Sequence, residues 1–169
     1  VQLCPSEDLI YQSFYLSNMT IRRAERKDLE SIVGMIADDP LGMKRESFQL
    51  PLPKEYETAL KNILSDPNQE LMVMEDENSE VIGTLQLSFI QYLTYRGGVR
   101  AQIEAVRIHK DKRGLGIGKM LFEWAIDRAK ERKAHVLQLT TDKQRPDAIR
   151  FYEDLGFSPT HEGMKLHFA

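Results

Sequence analysis

Lys112-Arg113-Gly114-Leu115-Gly116-Ile117-Gly118-Lys119 is the stretch on which the reading of this chain turns. Three alternating glycines open directly onto Met120-Leu121-Phe122-Glu123-Trp124-Ala125-Ile126. Apolar residues at 117, 120, 121, 124 and 125 fall at helical spacing, so a glycine-rich loop becomes the first turn of a helix. Such a junction aims free backbone N–H groups and the positive end of the helix dipole at one spot, where an anion can sit. Glycine keeps that approach clear of Cβ atoms. Counting excludes two nucleotide loops. A P-loop needs Ser or Thr after its lysine, but Met120 follows Lys119. A dinucleotide fingerprint needs a third glycine three positions beyond the second, but Lys119 and Leu121 stand three beyond Gly116 and Gly118. Taken alone, the loop reads either as an anion site or as a tight strand-to-helix turn.

Two neighbouring segments give it a context. Arg113-x-x-Gly116-x-Gly118 resembles the acyl-CoA pyrophosphate loop of the GNAT acyltransferase superfamily, whose pattern is Gln/Arg-x-x-Gly-x-Gly/Ala. The preceding Ile103-Glu104-Ala105-Val106-Arg107-Ile108 looks like that family's central strand. Downstream, Ala148-Ile149-Arg150-Phe151-Tyr152-Glu153-Asp154-Leu155-Gly156-Phe157 looks like its second signature, Ala-x-x-Phe/Leu-Tyr-x-x-x-Gly-Phe. A strand-like segment, Val136 to Thr140, lies between them. The resemblance spans roughly Thr20 to Phe168 and is clearest from about 100 to 160.

Composition narrows the classes. A chain of 169 residues is long enough for one real core and short enough for one domain. A net charge of −3 with 29% charged residues argues against a surface that coats nucleic acid. The single cysteine, Cys4, forbids an internal disulfide. His109, His135, His161 and His167 show no zinc spacing, so no metal is expected. No apolar run suits a membrane span and no signal peptide opens the chain, so no membrane partner is expected and a cytoplasmic location is the default. Residues 1–18 read as an upstream extension or cloning remnant, with a short docking strand as the competing reading. Met19 looks like a natural start, and residues 19–169 read as a single acyltransferase domain.

Patterning predicts a strand at Thr20–Arg23, a helix at Asp28–Ala37 and a helix at Pro53–Leu64. Strands follow at Leu71–Glu75, Val81–Tyr92 and Val99–His109, then the helix 116–132 and a strand at 135–141. A short helix from Pro146 to Leu155 precedes a final hairpin around Glu162-Gly163 into Met164–Phe168. The order gives an α/β (α+β) fold, a mixed, mostly antiparallel sheet of about six to seven strands flanked by about four helices. It matches the GNAT layout.

The resemblance implies transfer of an acetyl group from acetyl-CoA to a primary amine by direct attack on the thioester. Backbone N–H groups of Gly114, Leu115, Gly116, Ile117, Gly118 and Lys119 would clamp the cofactor pyrophosphate. Arg113 either braces the loop or is a solvated arginine. Val106, Arg107 and Ile108 would lie along the pantetheine arm, with the N–H of Val106 or a neighbour holding the thioester oxygen. Glu104 is the general-base candidate, because an amine with a pKa near ~10 must lose a proton before it can attack. It is otherwise a polar residue facing outward. Tyr152 matches the signature tyrosine facing the CoA sulfur and is the general-acid candidate, or else a core-packing ring. Many relatives carry Asn where this chain has Arg145; the Arg-x-x-Ala-x-x-Phe-Tyr form resembles a subgroup that includes aminoalkylphosphonate acetyltransferases. Arg145 either binds an anionic group or caps the helix. The acceptor site would be shaped by the segment from Asp38 to Lys54, with Asp38, Asp39, Met43, Glu46, Phe48 and three prolines. A small-molecule amine is the first reading of the acceptor, and a peptide or protein amino group the second. A catalytically silent acyl-CoA-binding module is the non-enzymatic alternative. The resemblance leaves room for a homodimer.

Overall fold

A computed structural model describes residues 18–38 and 46–168. Its framework is a five-stranded sheet in the order β1-β2-β3-β4-β5, formed by Thr20–Arg23, Gln69–Glu75, Val81–Gln91, Val99–Ile108 and Val136–Gln138. Strands β1 to β4 pair antiparallel in succession, and β5 runs parallel to β4. The helices are α1 (Leu29–Ala37), α2 (Lys54–Ser65), α3 (Ile117–Glu131) and α4 (Pro146–Asp154), with one further helical turn at Thr94–Gly97.

Strand alternation sends apolar side chains to two cores. On one face Leu85, Leu87, Phe89, Ala101 and Ile103 meet Ile117, Leu121, Phe122 and Ala125 of α3. On the other, Leu71 and Val73 of β2 meet Ile32 and Val33 of α1 and Leu60 of α2. The apolar periodicity of α3 therefore does what its sequence pattern anticipates: Ile117, Leu121 and Ala125 are essentially inaccessible.

Two strand expectations fail. The strand expected over 135–141 is only Val136–Gln138, since β4 leaves it after the Gln102–Gln138 pair. The expected C-terminal hairpin is not formed, and none of residues 158–168 joins the sheet. A strand exists only beside a neighbour that takes its hydrogen bonds. Met164, Leu166 and Phe168 alternate as a strand would but stay 95%, 80% and 89% exposed. The sheet thus has five strands and not six to seven. The suggested extension over 1–18 falls almost wholly outside the described residues, as do residues 39–45, including Asp39 and Met43. Among the described residues, no helix is long and apolar enough to cross a membrane.

Charges tie the edges down. Arg22 of β1 reaches Asp28 at 2.7 Å and Glu75 at 2.5 Å. Burial opposes ionisation of Asp28, but the Arg22 guanidinium and the Glu25 N–H outweigh it and hold the carboxyl below its usual range. The Arg22 hydrogen bond also lowers Glu75. A carboxyl depressed in the fold stabilises it above the unfolded-state pKa, near ~4, and that stabilisation is lost as pH falls through the lower folded value. Urea midpoints should therefore fall on acidification below about pH 5. Asp28→Asn should lower the midpoint most near pH 7, and the gap to wild type should close by about pH 2.

Candidate active site

The site begins in β4. Gln86 pairs with Glu104 but Thr84 pairs with Arg107, so Ala105 and Val106 together oppose Leu85. This is a β-bulge, an extra residue that bends the strand and re-aims its side chains. Ala105 sits at φ 52°, a left-handed conformation that costs a non-glycine residue about 1–2 kcal/mol. The parallel partner is lost just before it: Arg100, Ala101 and Gln102 pair with Val136, Leu137 and Gln138, and the pairing stops there. Strands β4 and β5 form a fork, and residues 103–108 have no β5 partner. The sequence-predicted Glu104, Val106, Arg107 and Ile108 all lie on this unpaired stretch. Val106 and Ile108 pack partly against the α3 core, and Arg107 turns back to donate to the Val106 carbonyl at 2.7 Å.

Beyond β4 the chain makes a 3₁₀ turn, Lys110–Lys112, and enters the glycine loop. Gly114 and Gly116 have φ 79° and 85°, a conformation open to glycine at little cost. Gly116 is the N-cap of α3; no side chain caps the helix and no acidic residue occupies its first turn. The N–H groups of Ile117, Gly118 and Lys119 therefore lack intrahelical acceptors, and the positive end of the dipole is not neutralised. Burial of Ile117 and Leu121 holds that helix end in place. Arg113 braces the loop: its Nε donates to the Ile108 carbonyl at 3.2 Å, and its guanidinium lies 3.3 Å from Asp38. Lys119 pairs with Glu123 at 3.7 Å. An anion fits this cradle, with backbone donors free and no carboxylate in the first turn to repel it.

The second signature comes to the same place. A Cβ on Gly118 would stand 3.7 Å from the Phe151 ring, so α4 covers the first turn of α3. Phe122 meets Phe151 at 5.4 Å and Tyr152 at 5.3 Å between ring centroids. The Tyr152 ring thus packs on the α3 core, while its hydroxyl has no hydrogen-bond partner among the described residues. Arg145 is the exposed N-cap of α4 and makes no side-chain capping bond; its backbone carbonyl accepts from Ala148 and Ile149 instead, each at 3.1 Å. Arg145 therefore caps the helix through its backbone, since a guanidinium has no acceptor to offer a helix N-terminus.

Glu104 is on the other face. Ile103 points into the α3 core, so by alternation Gln102 and Glu104 point away from it. The sequence did not single out what surrounds the carboxylate. Arg100 donates to the Gln138 oxygen at 3.4 Å, Gln138 donates to Gln102 at 2.5 Å, and Gln102 donates to Glu104 at 2.7 Å. Every donor points the same way, from the cation to the carboxylate. The i, i+2, i+4 spacing of 100, 102 and 104 was visible in the sequence; the arrival of Gln138 from β5 was not. Glu104 and Tyr152 therefore stand on opposite faces of the sheet, on either side of the fork.

Two of the three loop glycines should respond to alanine in opposite directions. Gly116→Ala should cost about 1–2 kcal/mol, because it places a Cβ in the left-handed region. Gly118→Ala should stabilise by up to about 1 kcal/mol, because it replaces a helical glycine where the nearest side chain is at ordinary contact distance. Chemical denaturation of the two variants measures both.

Known proteins share this arrangement. Residues 26–157 match the model of the Acetyltransferase (GNAT) family. The crystal structure of a transcriptional regulator from Bacillus halodurans C-125 is similar, with 57% identity and a TM-score of 0.86 over 89% of this chain and 99% of that one. The structure of a predicted acetyltransferase from Clostridium acetobutylicum, crystallised with acetyl-CoA, is 25% identical with a TM-score of 0.69, covering 88% of this chain and 96% of that one. An aminoalkylphosphonate N-acetyltransferase from Salmonella typhimurium is 26% identical over 83% of this chain and 86% of its own length. The chain belongs to the GNAT family of acetyl-CoA-dependent acetyltransferases.

Proposed function

We propose that residues 19–169 form an N-acetyltransferase domain that acetylates the primary amine of a small molecule. The observation that carries the reading is the forked strand that runs into an uncapped, glycine-lined helix N-terminus. A pyrophosphate held by the N–H groups of 114–119 directs the pantetheine arm back along residues 106–108, whose β5-facing edge is unpaired. The thioester then lies in the fork, between Glu104 on one face and Tyr152 on the other. The relative from Salmonella typhimurium is, by its name, an aminoalkylphosphonate N-acetyltransferase, which supports a small-molecule acceptor.

The groups supply each need of the reaction. The amine arrives protonated, and Glu104 accepts its proton directly or through water. Its Oε1 is held by Gln102, and Oε2 has no partner among the described residues. The amine nitrogen then attacks the thioester carbon while the N–H of Val106 or its neighbour takes the negative charge on oxygen. Removing one such donor typically costs ~3 kcal/mol. The C–S bond breaks, the Tyr152 hydroxyl protonates the departing thiolate, and the second proton lost by the attacking nitrogen returns through water to the Tyr152 oxygen. Arg145, exposed beside α4, adds a positive charge for the anionic cofactor.

Two variants test the roles. Glu104→Gln keeps the shape of the site and removes the base, so its turnover should fall most at low pH and recover toward the amine's own pKa. Parallel pH–rate profiles for the two proteins would remove Glu104 from the reaction. Tyr152→Phe should lower kcat with little change in the acetyl-CoA KM, because the hydroxyl acts only as thiolate forms. Wild-type turnover in that variant would leave Tyr152 as a packing residue.

A further inference from the structure

Asp76 is a buried carboxylate with no part in the chemistry at the fork. It closes the turn between β2 and β3. Its backbone N–H donates to the Glu80 carbonyl at 3.1 Å, and its carbonyl accepts from the Ser79 N–H at 2.9 Å. One carboxylate oxygen, Oδ1, accepts from the N–H groups of Asn78 and Glu80 at 3.0 and 3.1 Å. An asparagine offers the same acceptor to the same donors, so the turn itself asks for no charge. The second oxygen, Oδ2, lies 3.6 Å from the Lys112 ammonium, and the Asp76 side chain is only 3% exposed. A carboxylate taken out of water is costly unless a cation answers it. Lys112, and not the turn, therefore accounts for the charge on Asp76.

Lys112 stands at the entrance to the glycine loop, as the last residue of the 3₁₀ turn. The N–H of His109 still donates to the Ile82 carbonyl of β3, at 2.9 Å. Beyond it, among the described residues, none of 110–115 makes a backbone hydrogen bond to another strand or helix. The place of the loop before α3 is thus set by side chains. Arg113 reaches the Ile108 carbonyl and Asp38, in a pair that is exposed on both sides. Exposed pairs hold weakly. Lys112 instead reaches a carboxylate that is buried and already fixed by two N–H groups of the β2–β3 turn. This second tether joins the loop to the sheet. Backbone donors bind an anion well only when they are aimed before it arrives.

We infer that Asp76 is a positioning residue for the cofactor: through Lys112 it fixes loop 113–119 where the diphosphate of CoA meets its N–H groups. The inference rests on that loop holding the diphosphate. Pantetheine, which lacks the diphosphate, separates the two claims. Calorimetry on the full chain should show wild type binding CoA at least ~10-fold more tightly than pantetheine. Asp76→Asn keeps the Oδ1 acceptor and drops the charge. It should weaken CoA ~5-fold and leave pantetheine within ~2-fold of wild type. Lys112→Met should lose as much, the double variant no more than either single one, and Lys112→Arg should recover most of the loss. Asp76→Ser, whose hydroxyl accepts in the same kind of turn, replaces Asp76→Asn if that variant does not fold. Failure of both to fold makes Asp76 a residue of the turn alone and overturns the inference. Unchanged CoA affinity in Asp76→Asn overturns it as well, and raised affinity does so by making Lys112 a phosphate ligand that Asp76 holds back. Equal losses for CoA and pantetheine also overturn it, since a general distortion weakens both. Equal binding of CoA and pantetheine by wild type overturns the reading of the loop, and the inference with it.

Discussion

The loss of pairing between β4 and β5 after Gln102 is the constraint on which the site depends. A sheet interior normally leaves no backbone donor or acceptor unmatched, because each buried N–H and C=O needs a partner. Here the bulge at Ala105 and Val106 bends β4 just where β5 ends. The bend leaves residues 103–108 of β4 with an edge that β5 does not cover. An extended amide-bearing ligand can take the place of the missing strand, and no surface loop offers the same combination of rigidity and free hydrogen-bonding groups. The left-handed Ala105 is strain of the kind that persists only where its surroundings hold it. Ile103 before it and the Thr84–Arg107 pair after it supply that hold.

Everything that meets at the fork is anchored to a core somewhere else. The N-terminal turn of α3 has no capping side chain, yet Ile117, Leu121 and Phe122 are buried beneath it. At the other end of the same helix, Arg128 and Arg132 converge on Glu70, a buried carboxylate of β2. A charge in that position is tolerable because two guanidiniums match it. The helix is therefore fixed at both ends, and its unmatched donors keep their aim without a capping side chain. The aromatic set of Phe122, Phe151, Tyr152 and Phe157 does the same for α4. The Tyr152 ring serves as packing while its hydroxyl stays available, so the structural and chemical readings of that residue are compatible.

The open face of β4 shows how charge orders a polar surface. Amide side chains can point either way, but a guanidinium can only donate and a carboxylate can only accept. With Arg100 at one end and Glu104 at the other, Gln138 and Gln102 have one consistent orientation. The chain of hydrogen bonds also bridges β4 and β5 at their last paired residues, so it closes the base of the fork while holding the carboxylate beside its opening.

Much of this was legible in the residues. The 3.6-residue period of α3 and the alternating strands were set by burial of one face, which local sequence records directly. The two motifs singled out the loop and Tyr152 as candidates, and the resemblance of the strand before the loop singled out Glu104. Other features needed the folded chain. The strand count fell short because the C-terminal alternation of Met164, Leu166 and Phe168 states a tendency, whereas a strand requires a neighbour. The fork depends on a bulge that no residue type announces, since alanine at a left-handed position looks like any other alanine. Arg100 and Gln138 acquired their roles through pairing between strands 36 residues apart in the chain. Sequence by itself determined which hydrogen-bonding backbone groups and side chains this protein can offer. Tertiary structure decided which of them lack partners, because whether a hydrogen-bonding group is satisfied depends on what packs against it across the fold.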